Sequence, residues 1–127
     1  MTPLMALLVA AGGAVGSLLR WGVGLALNPP KPHEFPWGTL AVNLLGCAAI
    51  GVLAGAFGGV WEAKPHWRAA VFVGVLGGFT TFSSFAFEAV TLAKSGGVMS
   101  ATGYVAASVV GGLALVAGGL WVARAMG

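Results

Sequence analysis

Apolar residues run along this chain in four long blocks, parted by short stretches rich in charge, proline or glycine. The first block covers about 3–27 and ends at "NPPKPHEFP" (28–36), because prolines cannot continue a helix. The second covers about 37–60 and stops at "WEAKPHW" (61–67). The third covers 68–93 and is followed by a short turn, "KSGG" (94–97). The fourth covers about 98–122 and leaves a stub carrying Arg124. Each block exceeds the roughly 20 residues that a helix needs to cross a bilayer core. The pattern predicts an all-α membrane protein, one domain over 1–127 with four transmembrane helices. Trp37, Trp61, Trp67 and Trp121 fall at block ends, where an aromatic belt would place them. Small residues recur at packing spacing: Gly12 and Gly16, then Gly51, Gly55 and Gly59, then Ser108 and Gly112. Such ladders let helices approach closely in lipid, where van der Waals contact drives association. The first block is expected to be a true span and not a cleaved signal peptide, being too long and lacking a basic start.

Composition sharpens this. Only 7% of the residues are charged and 58% are hydrophobic, with a mean hydropathy of +0.96. A soluble domain carries roughly 25% charge. Six Lys/Arg against three acidic residues raise the pI to about 9.6, but no basic run exists, which excludes a nucleic-acid surface. Cys47 is the only cysteine, so no intrachain disulfide forms. The positive charges are balanced across the membrane. Lys64, Arg68 and Arg124 lie on one side, and Arg20, Lys31 and Lys94 toward the other. The positive-inside rule fixes orientation through an imbalance. Its absence predicts insertion in both orientations and an antiparallel homodimer; the alternative is that so few charges say nothing about topology.

The third block concentrates most of the polar groups. Gly77 is about 13 Å along the helix from Arg68, near the bilayer midplane. Gly77 and Gly78 weaken a helix there. Backbone leaving helical geometry at this depth must be satisfied by protein, water or an ion. Thr80, Thr81, Ser83 and Ser84 supply hydroxyls for this, and freed carbonyls at a broken helix coordinate cations. Beyond the expected break, Thr81, Ser84 and Glu88 share one face and form a polar stripe toward one surface. Phe82 and Phe85 lie on a neighbouring face. They are either core aromatics or, through their electropositive ring edges, contacts for a small anion.

Other polar residues are few. Asn43 lies about 9 Å into the second block, with Thr39 one turn earlier on the same face. Its amide either links helices or donates to an anion without adding charge. Tyr104 and Ser108 are one turn apart in the fourth block, Ser108 about 15 Å from Val98; they continue a hydroxyl track or simply pack. Arg20 snorkels to the interface or attracts anions at a pore mouth. Glu88 is a solvated rim charge or, if buried beside the stripe, functional. His33 and His66 have no metal-ligand spacing. No nucleophile–base pair or phosphate loop is present, so an enzyme is not expected.

"GTLAVNLLG" (38–46) and "GGFTTFSSFAFE" (77–88), with Arg20 in the first block, resemble the Fluc (CrcB) fluoride channels. The resemblance covers all four blocks in order and implies an antiparallel, dual-topology homodimer in the plasma (inner) membrane, with two pores that release fluoride passively from the cytoplasm. It assigns Phe82 and Phe85 to the aromatic pair lining each pore and Asn43 to the pore amide. Thr39, Thr81, Ser84, Tyr104 and Ser108 fall along the polar track. Arg20 matches a vestibule arginine and Glu88 the closing glutamate. The carbonyls of Gly77 and Thr80 match a site for a structural sodium ion (Na+) at the dimer centre. Two rivals are a small proton-coupled multidrug transporter and a structural membrane subunit. The first needs an acidic residue in its chamber, and the first block has none. The second leaves the polar stripe unexplained.

Overall fold

The computed structural model describes residues 1–127 and is helical throughout, with no strand. Four helices are long and apolar enough to cross a membrane: Pro3–Leu27, Trp37–Ala63, Pro65–Lys94 and Val98–Met126. The second, third and fourth spans extend beyond the sequence-read limits of 60, 68 and 122. Only Lys64 separates the second span from the third, so most of "WEAKPHW" is helical.

Local sequence explains the ends. Thr2 caps the first span by accepting from the Met5 N–H at 3.3 Å, and Pro3 occupies the first turn, where a missing N–H costs nothing. At the far end the Asn28 N–H donates to the Gly24 carbonyl before Pro29 and Pro30 stop the helix. The turn between the third and fourth spans is a Schellman motif: Gly97 N–H donates to Leu92 O (3.0 Å) and Gly96 N–H to Ala93 O (3.2 Å). Gly96 has φ 89°, a left-handed conformation that glycine adopts without strain.

Two seams of small residues hold the bundle. The first span packs on the third through Gly12, Gly16, Gly74 and Gly78. A Cβ on Gly12 would lie 2.5 Å from the Ala70 carbonyl, and one on Gly16 would strike the Val75 carbonyl. The second span packs on the fourth through Gly51, Gly55 and Gly119, a Gly51 Cβ falling 2.6 Å from the Val116 carbonyl. Gly59, placed on the same ladder by its spacing, faces open space, with nothing within 4 Å. Between Gly55 and Gly59 the helix is kinked, Phe57 leaving helical geometry (φ −125°, ψ 23°). The Trp61 indole N–H donates to Leu53 O at 2.9 Å across this bend. Trp61 is therefore half-buried, whereas Trp37, Trp67 and Trp121 stand exposed as belt residues do.

The third span is the irregular one. After a helical turn, Pro65–Arg68, its hydrogen bonds widen to a π-helix over Ala69–Leu76. Gly77–Phe79 is α-helical again, Thr80 and Thr81 are extended, and a new helix runs over Phe82–Lys94. Its second half packs on the fourth span around Phe85, Leu92, Ala101 and Tyr104.

Candidate functional site

The third span breaks, but not at its glycines. Leu76 and Gly77 keep helical angles, and Thr80 N–H still donates to Leu76 O at 3.0 Å. The break falls at Thr80 (φ −81°, ψ 159°) and Thr81 (φ −150°, ψ 124°). Glycine permits a break without imposing one. Gly78 has a different use: a Cβ there would sit 2.5 Å from the Gly13 carbonyl, so it admits the first span.

What imposes the break comes from the second span. Asn43 grips the backbone of Thr81 on both sides. Its Nδ2 donates to Thr81 O at 2.9 Å, and its Oδ1 accepts from Thr81 N–H at 2.8 Å. The amide thus replaces the helical partners that Thr81 gives up, as backbone in a membrane requires. Thr81 then restarts the helix as its N-cap, its hydroxyl accepting from Ser84 N–H at 3.2 Å. The diversion has a second consequence. Thr81 N–H no longer closes a helical bond onto the Gly77 carbonyl, and the Thr80 carbonyl accepts no hydrogen bond.

A cavity of about 460 Å³ opens beside this break. Asn43, Thr80, Thr81, Phe82, Phe85 and Ser108 line it, with Gly77 and the apolar residues Leu76 and Phe72. No charged residue touches it. Phe82 and Phe85 have ring centroids 5.6 Å apart. Phe82 is 78% exposed and stands out from the protomer, while Phe85 is 8% exposed and packs edge-on against Tyr104 at 5.2 Å. Ser108 Oγ is buried without a hydrogen-bond partner. A buried hydroxyl in a helix ordinarily bonds back to a carbonyl a turn earlier. Here it remains a free donor, and Asn43 retains a second amide hydrogen beyond the one Thr81 uses.

A second cavity, about 410 Å³, lies on the other side of Thr81, which lines both. Its polar wall consists of Ser17, Arg20, Asn28, Thr39, Ser84 and Glu88. The stripe of Thr81, Ser84 and Glu88 therefore meets the arginine of the first span. Glu88 is half-buried, and each carboxylate oxygen accepts one hydroxyl: Thr39 Oγ1 at 2.8 Å and Tyr104 OH at 2.7 Å. These bonds tie the second, third and fourth spans together. They also part Tyr104 from Ser108. The tyrosine, 0% exposed, serves the carboxylate, and the serine faces the first cavity.

Sequence reasoning thus named most of the polar residues of both cavities but not their pairings. It missed Asn28 and took Trp61 only for a belt residue; the hydrogen bonds of both join segments that local pattern treats as separate. The missing signal for Asn28 was available: the second span begins at Pro36-Trp37 with no capping side chain of its own.

Residues 7–120 match the family described as "CrcB-like protein, Camphor Resistance (CrcB)". The chain is 49% identical over 120 residues to the fluoride-specific ion channel FluC of Pseudomonas fluorescens, covering 94% of this chain and 96% of that one. It is 47% identical over 124 residues to the protein of the same name from Rhizobium etli (97% and 98%), and 44% identical over 122 residues to that of Rhodospirillum centenum (96% and 94%). With the match running through all four spans and both cavities, the chain belongs to the CrcB family.

Proposed function

We propose that this protein is a fluoride-selective passive channel that lets fluoride leave the cytoplasm across the plasma (inner) membrane and so limits its toxicity. The observation that carries the reading is the first cavity. It sets an unpartnered buried hydroxyl (Ser108), a spare amide hydrogen (Asn43) and two phenylalanine rings around one space without a charge. Neutral donors and electropositive ring edges replace the hydration of a small anion, and with no cationic side chain in the lining the anion is not trapped as an ion pair. On this reading Arg20 draws anions into the second cavity. Thr39, Thr81, Ser84 and Glu88 supply the polar wall from which the ion passes Thr81 to Phe82, Phe85 and Ser108, and buried Tyr104 donates to Glu88. The relatives' names supply the identity of the anion.

The channel works as an antiparallel homodimer of oppositely inserted copies. The first cavity puts Asn43, Thr80 and Thr81 on a surface that would otherwise meet lipid, and Phe82 projects from the same surface. Polar backbone at this depth needs protein cover, and a second copy provides it. The Gly77 and Thr80 carbonyls fit a structural sodium ion at the dimer centre, being hard oxygen donors that the Thr81 diversion leaves free. When bound, sodium supplies a fixed positive charge that satisfies those carbonyls.

The test is efflux from liposomes holding the purified protein, followed with a fluoride electrode. Fluoride efflux with no proton gradient is expected. Transport that requires a proton gradient would make the protein a coupled transporter instead. Single-cell tagging of both termini tests the topology: signal from both sides of the membrane is expected, and one orientation alone contradicts it.

A further inference from the structure

The second span starts without the means to cap itself. The first N–H groups of a helix have no internal partner, and a Ser, Thr, Asp or Asn side chain usually takes one. Pro36 holds that place here and makes no side-chain bond. The missing cap comes from the end of the first span. Asn28 Oδ1 accepts from Gly38 N–H at 2.8 Å and from Thr39 N–H at 3.4 Å. Gly38 belongs to the same device. A Cβ on it would lie 2.8 Å from Asn28 Oδ1 and 2.9 Å from Cγ, so the amide fits only because residue 38 has no side chain.

Thr39 carries the consequence into the site. Its backbone is held by Asn28, and its hydroxyl donates to Glu88, which also receives Tyr104. Thr39, Glu88 and Tyr104 come from the second, third and fourth spans, and Asn28 is the residue that ends the first. Asn28 and Glu88 both face the second cavity. We propose that Asn28 is a positioning residue of the permeation pathway: by capping the second span across the intervening loop, it fixes Thr39 and, through it, the Glu88 carboxylate on the wall of the polar cavity. The inference rests on the channel reading for its functional half and on the hydrogen bonds alone for its structural half.

The two halves are tested apart. Amide hydrogen exchange at Gly38 and Thr39 reports the cap whatever the protein transports. Asn28→Ala is expected to speed exchange at both amides. Asn28→Asp keeps the acceptor and is expected to restore protection. Fluoride efflux from liposomes, compared at equal amounts of folded protein, reports the functional half: Asn28→Ala is expected to lower it. Gly38→Ala pushes the same amide out and is expected to match that loss. The double variant should be no worse than Asn28→Ala, because the new methyl then occupies the space the amide left. Unchanged exchange in Asn28→Ala overturns the cap. Altered exchange with wild-type efflux, or losses that add in the double variant, overturn the positioning role while leaving the channel reading intact. A wild-type protein that passes no fluoride overturns the channel reading and, with it, the functional half.

Discussion

Replacing Asn43 with alanine separates two ways in which its amide can matter. The wild-type side chain makes two hydrogen bonds to one residue, at 2.9 Å to Thr81 O and 2.8 Å to Thr81 N–H. Alanine removes both and leaves the Thr81 backbone groups stranded in the middle of the membrane span. Each stranded buried group costs about 1–3 kcal/mol, so the variant should lose roughly 2–6 kcal/mol, toward the lower end if water enters the adjoining cavity. The assay is equilibrium unfolding of the purified protein in denaturing detergent, run beside fluoride efflux on the same preparation. Both stability and efflux are expected to fall. Asn43→Asp should lie between, since it keeps the acceptor for Thr81 N–H but sets an oxygen against Thr81 O. An alanine variant of wild-type stability would refute the reasoning, because it would show that Asn43 does not hold the break. Reduced efflux at unchanged stability would make the amide a donor to the ion and nothing more.

Four substitutions and one ion exchange probe the packing and the break. Gly16→Ala drives a methyl into the Val75 carbonyl and should abolish folding or assembly, seen as loss of the folded peak in size-exclusion chromatography. Gly59→Ala meets open space and should be neutral or stabilising by about 0.5–1 kcal/mol, as alanine favours the helix. Phe82→Ile should cut efflux and leave protomer stability unchanged, since the ring is 78% exposed; Phe85→Ile should cut efflux and also lose an edge contact with Tyr104 worth about 0.5–1.5 kcal/mol. Exchanging sodium for a large organic cation should slow efflux if the Gly77 and Thr80 carbonyls hold that ion, and indifference to the exchange counts against it.

Hydropathy alone made the four spans legible, because a helix in lipid must be long and apolar and this chain has few exceptions. Span ends were less legible: the Pro65 turn restarts a helix one residue after the last one stops, which a proline-based reading takes for loop. The midplane break was readable as an event but not as a position. Local propensity pointed to Gly77-Gly78 with Thr80, whereas the break falls at Thr80-Thr81, where a side chain 38 residues away in sequence binds the backbone. The same lesson holds for Tyr104. Spacing paired it with Ser108, but a hydroxyl bonds whatever acceptor folding brings near, and here that is Glu88. Gly59 followed the ladder of Gly51 and Gly55 in sequence but meets nothing in space, beyond a kink at Phe57 that spacing does not reveal. Residue identity therefore revealed which groups could do chemistry, and tertiary contact decided which of them meet.

The cavity of Asn43, Phe82, Phe85 and Ser108, with no charged side chain, is proposed to pass fluoride and reject larger halides. The most direct measurement loads one batch of protein-bearing liposomes with fluoride and chloride together and follows both ions with selective electrodes under a potassium ionophore. Rapid loss of fluoride is expected while chloride stays inside. Equal release of both ions, or release of neither from folded protein, would contradict it.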